Sequence, residues 1–264
     1  MGKKMNNAPV YFTVTQVRFN PVLSFENYLA SIQEKMRAAG YPDFKRQLVP
    51  QLVIVPEKTE TGEQQQPTLV PQTRCIFGDI KGTSGFVVDN NSLAYQTTDY
   101  QTFEAFVEAF QTGLDIVHGA MNLAFTERIG LRYLDAVLPV EGETVDQFLI
   151  PEVIGMFRKH SGMSVLHTFS ETVITLSAGR LVSRVVLQDG KLGLPVELIQ
   201  LAPKINDRFI ESTGPHAIID TDAFCESREP FDIPKIRQKM TELHDEINKA
   251  FKTITTPHAR KTWE

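Results

Sequence analysis

Two long segments of the chain repeat their apolar residues at three- and four-residue intervals. In residues 102 to 122 these positions are Phe103, Phe106, Val107, Phe110, Leu114, Val117 and Met121. In residues 233 to 253 they are Ile236, Met240, Leu243, Ile247 and Phe251. Because side chains at this spacing lie on one face of an α-helix, each segment predicts a long helix with one buried face. Asp232 is placed to cap the second helix, and Ser24 to cap a shorter one that ends at Gly40.

Alternating, β-branched segments precede and separate these helices. YFTVTQVRF, residues 11 to 19, and RIGLRYLDAV, residues 128 to 137, each predict a strand. Further strands are predicted at FKRQLVPQLVIV, RCIFGDI, GFVVD, LAYQTT, MSVLHTFSETVITLS, GRLVSRVVLQ, KLGLPVELIQL and HAIIDTDAFC. The polar residues 57 to 72 predict a loop insertion, Ser177 to Gly179 and Asp189-Gly190 predict hairpin turns, and a helix is predicted from about Val145 to Phe157.

The second half of the chain repeats the first. LDIVHGAMNLAF, residues 114 to 125, aligns without a gap with MTELHDEINKAF, residues 240 to 251. The alignment pairs His118 with His244 and Asn122 with Asn248. Val17-Arg18-Phe19 near the start of the chain is likewise echoed by Leu131-Arg132-Tyr133. These matches predict an internal duplication, with one repeat in residues 1 to 126 and the other in residues 127 to 264.

Each repeat is predicted to follow the order β-α-β-β-β-β-α. This order resembles the TATA-binding-protein-like or helix-grip arrangement, in which a curved antiparallel sheet grips a long helix and two copies form a saddle. The resemblance implies an α+β fold in one globular unit. Because fold alone does not fix function, it carries no statement about activity.

The charge of the chain narrows the classes of partner. Its 27 Lys and Arg against 32 Asp and Glu give a formal net charge of −5, which disfavours nucleic acids and anionic membranes. An apolar run of membrane-spanning length and an apolar leader are both missing, so we expect a cytoplasmic protein with no membrane contact. Cys75 and Cys225 are expected to be buried, reduced thiols, and the sequence leaves open whether they meet.

The histidine-bearing triplet His244-Asp245-Glu246 is the first candidate for chemistry. A metal site on a helix needs ligands three or four residues apart, and the residue four positions after His244 is Asn248, a poor ligand. The first repeat has Gly119 and Ala120 where the acids stand. We therefore expect no metal, cofactor or catalytic residue here, and predict that His118 and His244 hydrogen-bond to the sheet or a strand end. A paired ligand site across the two halves is the alternative.

Four residues are candidates for binding a partner. Arg18 and Arg132 are repeated on the two opening strands, where they are either solvated, paired with acids of this chain, or offered to a carboxylate or phosphate of a partner. Arg260 and Trp263 follow the last long helix, and Trp263 either packs back on the body or anchors a partner.

The GLRY strand at Gly130 to Tyr133 and the LHD-x-x-N-x-AF helix at Leu243 to Phe251 together resemble a sporadically distributed family of uncharacterised prokaryotic proteins. The resemblance covers nearly the whole chain and implies no established activity. Patchy distribution would fit immunity, antitoxin or phage-defence components. We accordingly expect a non-catalytic protein that binds another protein, encoded nearby, with a homo-oligomer left open. Nucleic-acid binding on the concave sheet face and an enzyme without recognisable motifs are the alternatives.

Overall fold

The computed structural model describes residues 7–59, 62–155, 166–177, 179–199 and 201–264, with the backbone alone for 51–59 and 62–70. These ranges contain nine strands: β1 (Val10–Phe19), β2 (Asp43–Thr59), β3 (Gly62–Gly78), β4 (Ser84–Val88), β5 (Ser92–Thr97), β6 (Phe125–Val137), β7 (His167–Thr175), β8 (Arg180–Gln188) and β9 (His216–Pro230). They also contain eight helices: α1 (Phe25–Ala38), α2 (Phe103–Met121), α3 (Val145–Phe148), α4 (Pro151–Ile154), α5 (Val196–Ile199), α6 (Asp207–Ile210), α7 (Ile233–Ile254) and α8 (Pro257–Trp263).

The nine strands form one antiparallel sheet in the order β2-β3-β4-β5-β1-β6-β9-β8-β7. β1 and β6 are neighbours at its centre, where Gln16 lies opposite Gly130. Residues 10–97 supply the five strands on one side, and residues 125–230 supply the four on the other. The α+β class with an antiparallel sheet is thereby confirmed.

The long helices α2 and α7 lie side by side on one face of the sheet. Their apolar faces pack into a cluster in which Phe86, Phe110 and Leu131 are fully buried. Thr102 caps α2 by accepting a hydrogen bond from the Ala105 backbone, and Asp232 caps α7 in the same way. The two predicted long helices are confirmed. Helix α1 also forms, although Ser24 makes no side-chain capping bond.

Residues 191–199 and 201–215, which we call the crossing segment, lie over the opposite face of the sheet. Leu192, Leu194 and Leu198 pack on a second cluster that contains Phe12 and Leu134. The strand predicted at KLGLPVELIQL is therefore wrong. The described residues of this stretch hold α5 and one isolated bridge, between Lys191 and Thr213, and a proline at position 195 cannot donate to a sheet ladder. As a result the described part of the second half has four strands, and the chain at the predicted Asp189-Gly190 turn leads into the crossing segment.

The helix predicted from Val145 to Phe157 is wrong in its length. Two short helices, α3 and α4, stand in its place, and residues 156 and 157 lie outside the described ranges. Proline at position 151 forces the preceding Ile150 into extended backbone, with φ −69° and ψ 152°. The break lets Leu149 form an isolated bridge with Thr255 at the end of α7.

The loop insertion predicted at residues 57 to 72 is also wrong. The described backbone there belongs to the long hairpin of β2 and β3, whose pairing runs from Asp43 opposite Gly78 out to Thr59 opposite Gly62. Polar composition was the basis of the loop prediction. Ladder hydrogen bonds join backbone groups, so polar side chains do not prevent strand pairing.

The two cysteines lie too far apart for a disulfide. Cys75 is on β3 and Cys225 on β9, five strand positions away in the sheet. At about 4.8 Å per strand this separation is roughly 24 Å, whereas bridged Cα atoms lie within about 7 Å. Both thiols are free and buried, as expected.

Candidate ligand-binding cavity

A cavity of about 430 Å³ lies between the helices and the centre of the sheet. Its walls come from the start of α2, one side of α7, the middle of β6, the chain entering β1, and α8. The lining residues are Ala8, Pro9, Val10, Tyr100, Gln101, Thr102, Phe103, Glu104, Tyr133, Asp135, Thr241, His244, Asp245, Ile247, Asn248, Phe251, Lys252 and Arg260. This is a volume that suits a small organic molecule.

A row of buried polar residues crosses the sheet through Tyr133, which lines the cavity. The strand register places Thr97, Thr13, Tyr133, Thr221 and Ser183 side by side on five adjacent strands, each at most 9% exposed. The hydroxyls of Thr13 and Thr221, on either side of Tyr133, have no hydrogen-bond partner in the described structure. Buried polar groups are normally paired. This row therefore marks a polar seam between the apolar clusters under the two ends of α7.

Tyr100, Tyr133, His244 and Asn248 form a chain of close polar contacts along one wall. The two tyrosine hydroxyls are 3.1 Å apart, the Tyr133 hydroxyl is 3.2 Å from Nδ1 of His244, and Nε2 of His244 is 2.9 Å from the Asn248 amide nitrogen. Helical spacing places His244 and Asn248 on the same side of α7. The ring of Phe103 stacks on the imidazole with centroids 3.9 Å apart, which fixes its orientation.

Burial sets the protonation states of the side chains in this row of polar contacts. It lowers the pKa of His244, so the imidazole is neutral at pH 7. It raises the pKa of Tyr100 to about 12 and that of Tyr133 well above its usual value. The tyrosines are consequently neutral hydrogen-bond donors. None of the side chains Tyr100, Tyr133, His244 and Asn248 carries a charge near neutral pH.

Asp135 is the most deeply buried acid of the cavity lining. It is 8% exposed, and its carboxyl group makes no hydrogen bond or ion pair with the described residues. Burial raises the pKa of its carboxyl group to about 7. It pairs with Val10 where the register between β1 and β6 shifts by one residue, and such a bulge redirects side chains next to functional sites. The carboxyl group is thus held in an apolar position without a partner from the described chain.

Arg260 holds the end of α7 at the edge of the cavity. Its Nη1 donates to the carbonyl oxygens of Lys252 at 3.0 Å and of Thr255 at 2.6 Å. These bonds satisfy carbonyl groups that the helix end leaves unpaired. The binding of a partner by Arg260 stays a prediction.

Trp263 closes the hydrophobic cluster under α8. It is 4% exposed, and its ring lies 5.9 Å from that of Phe148 and 5.6 Å from that of Phe251. This is the packing alternative that the sequence left open. Anchoring of a partner by Trp263 also stays a prediction, and it would require α8 to leave the body of the protein.

Arg18 and Arg132 lie on the face of the sheet opposite α2 and α7, two residues from the central Gln16–Gly130 pair. Arg132 is half-buried and donates two hydrogen bonds of 2.7 Å to Asp220 and one of 3.0 Å to Glu197 of the crossing segment. Arg18 is exposed and makes no ion pair with the described residues. The repeated arginines therefore have different surroundings, and only Arg132 receives carboxylates from its own chain.

The repeated histidines occupy comparable places at opposite ends of the paired helices. His244 on α7 stacks on Phe103 at the start of α2, while His118 near the end of α2 stacks on Phe231, just before α7, at 4.4 Å. His244 bonds to the sheet through Tyr133, as predicted. His118 instead accepts the backbone N–H of Leu123 at 3.1 Å, beyond the end of its own helix. The prediction named the sheet or a strand end. Leu123 lies two residues before β6, so His118 bonds to the chain that leads into this strand and not to the sheet itself.

The described residues hold no group of three or more His, Cys, Asp and Glu side chains arranged to bind a metal ion. No helix in the described part of the chain combines the length and apolarity needed to cross a membrane. No protein-family model matches the sequence, and no curated protein is significantly similar to it. The case for a function therefore comes from the cavity and its residues.

Proposed function

We propose that this protein binds a small organic molecule in the cavity between α2, α7 and the centre of the sheet. The observation that carries the proposal is Asp135, a carboxyl group that is 8% exposed and without a partner in the described chain, on the wall of a cavity of about 430 Å³. A buried polar group without a partner costs free energy. A ligand that supplied the partner would recover that cost on binding.

The walls of the cavity support this proposal. Phe103, Phe251 and the two tyrosine rings provide apolar surface, while the Tyr100–Tyr133–His244 chain provides polar atoms at fixed positions. A mostly apolar pocket with a few convergent polar groups and perturbed pKa values is typical of a ligand site. The stacked Phe103 and the helix cap at Thr102 hold these groups before a ligand arrives.

A matched pair of variants on α7 tests the proposal. Thr241 lines the cavity, whereas Thr253 does not, and both hydroxyls bond to a backbone carbonyl one turn earlier. Compounds that raise the melting temperature of the wild type are first selected from a set of small amines, carboxylic acids and neutral molecules. We expect Thr241→Trp to weaken their binding by about tenfold or more, which is about 1.4 kcal/mol, and Thr253→Trp to leave it unchanged. Equal affinities in the two variants, or a set in which nothing binds, would refute the proposal.

We further propose that the fold arose by duplication, with repeats at residues 1 to 126 and 127 to 264 in a TATA-binding-protein-like saddle. The strand order supports it: β1 is flanked by β5, the strand before α2, and β6 is flanked by β9, the strand before α7. The reciprocal stacking of His118 and His244 agrees with such a twofold relation. In this proposal the second repeat has lost one strand and gained the crossing segment.

Binding of another protein is a second candidate function, and the edge strand β7 favours it. Its side chains Phe169, Val173 and Ile174 are 56%, 60% and 40% exposed. Exposed apolar side chains along an edge strand are suited to pairing with a partner. The net charge of −5 suits a basic partner, and the family resemblance suggests an immunity, antitoxin or phage-defence role in the cytoplasm.

A paired substitution on β7 tests this second function. We expect the wild type to capture one stoichiometric protein from its native host. Val173→Glu should lower the affinity for that protein by about tenfold or more, since a buried unpaired charge costs several kcal/mol. Thr172→Glu, the neighbouring exposed residue, serves as the control. Failure to capture a stoichiometric partner, or its retention by Val173→Glu, counts against the function.

Nucleic-acid binding on the face opposite the long helices has less support. Arg128, Arg132 and Arg184 each lie within 4.0 Å of an aspartate or glutamate of the same chain. The crossing segment also covers part of that face. Arginines that are already paired have little charge left to neutralise phosphates.

A further inference from the structure

The deep end of the cavity carries a carboxyl group, and the described residues place no cation opposite it. Asp135 has no ion pair among the described residues, and burial alone accounts for the raised pKa of its carboxyl group. The two cations of the lining, Lys252 and Arg260, do not offset it. Lys252 is exposed, and Arg260 is committed to the end of α7. Buried carboxylates in folded proteins are normally paired with a cation or several donors.

The surroundings of Asp135 suit a cation attached to an apolar group. Tyr100 meets Tyr133 edge-to-face with centroids 5.3 Å apart, and Phe103 and Phe251 complete the aromatic lining. Aromatic faces attract ammonium groups, most strongly where water is excluded. The neutral imidazole of His244 adds no repulsion, and Glu104 and Asp245 at the exposed mouth have the sign that draws cations in.

We infer that the ligand is a small organic cation, a protonated amine on an apolar framework, whose ammonium group pairs with Asp135 inside the cavity. The inference rests on the proposed function, because it takes the cavity to be a ligand site. It adds the chemical class of the ligand and names the residue that selects it.

Three probes that share one framework and differ in charge test the inference: phenethylamine, 2-phenylethanol and phenylacetate. Their affinities for the wild type are measured by titration calorimetry at pH 8. We expect phenethylamine to bind about tenfold or more tightly than 2-phenylethanol, and phenylacetate to bind most weakly, because an unpaired like charge in a dry site costs several kcal/mol. Asp135→Asn should weaken the binding of phenethylamine by about tenfold or more, and it should leave the affinity for 2-phenylethanol within about twofold of the wild-type value.

The pH dependence supplies a second readout. Phenethylamine stays protonated below pH 8, so its affinity for the wild type should fall as the pH drops from 8 to 5.5 and Asp135 takes up a proton. Tyr100 and Tyr133, which face the same space, stay protonated over this range, and His244 has a lowered pKa. The fall should vanish in Asp135→Asn. A fall that persists in that variant would show that another group sets the pH dependence, and it would overturn the inference.

The outcomes separate this inference from the proposed function. If the three probes bind alike, and Thr241→Trp weakens all of them, the cavity is a ligand site but not a cation site. If phenethylamine keeps its affinity in Asp135→Asn, the inference is also wrong. If no probe binds the wild type and no compound of the wider set binds either, both fail. The comparison of the three probes on the wild type does not depend on how well the variant folds.

Discussion

Asp135→Asn is expected to stabilise the ligand-free protein above pH 7, by up to about 4 kcal/mol relative to the wild type. The folded pKa of Asp135 is raised to about 7 from the ordinary value of 3.8 because burial disfavours the ionised form. Between these values the folded state holds a proton that the unfolded chain releases, so the wild type loses stability as the pH rises. The loss begins near pH 4 and is complete once the pH has passed 7.

Urea denaturation of both proteins at several pH values measures this effect. The advantage of Asp135→Asn in free energy of unfolding should grow by about 2.5 kcal/mol between pH 5 and pH 8 and change little above that. Other groups titrate in both proteins and cancel in the difference. Asp245→Asn, at the exposed mouth of the same cavity, is the control, and should change stability by no more than about 0.5 kcal/mol. A pH-independent difference would mean that Asp135 is ionised in the folded protein at every pH tested.

The elements that the sequence predicted well are those whose local pattern and tertiary role agree. Helices α2 and α7 carry unbroken apolar stripes and capping residues, so their bounds fall within two residues of the prediction. β1 and β6 alternate because one of their faces lies under helices. The crossing segment misled the prediction because Leu192 and Leu194 alternate as in a strand, yet they pack on the sheet without joining it. Alternation reports which residues are buried and not whether the backbone is paired.

The cavity could not be predicted from the neighbours of His244 along α7. The contacts of His244 with Phe103 and Tyr133 join residues more than 100 positions apart in the sequence, and they form only because two helices meet over the centre of one sheet. One signal was nevertheless present. Asp135 interrupts the apolar strand LRYLDAV at a position whose alternation points to the buried face. An acid at such a position is rarely fully buried without a partner, and it marks a candidate site.

Arg132→Ala is expected to destabilise the protein by about 3 kcal/mol, because it leaves the buried carboxylate of Asp220 without its main partner. The Asp220 side chain is 6% exposed and receives two hydrogen bonds of 2.7 Å from Arg132. Arg184 remains 3.5 Å away, so part of the charge is still balanced, and the loss should lie at the lower end for a broken buried pair. The same substitution also frees Glu197, and with it one polar contact between the crossing segment and the sheet.

Arg18→Ala is the matched control, since Arg18 on β1 lies on the same face of the sheet but is exposed and unpaired among the described residues. We expect it to change the free energy of unfolding by no more than about 0.5 kcal/mol. Urea denaturation at pH 7 compares the two variants, and similar losses would show that the Arg132–Asp220 pair contributes nothing particular to the fold. The comparison also bears on partner binding. An exposed arginine without an acid nearby can still receive a carboxylate from another protein, whereas Arg132 would first have to release its own.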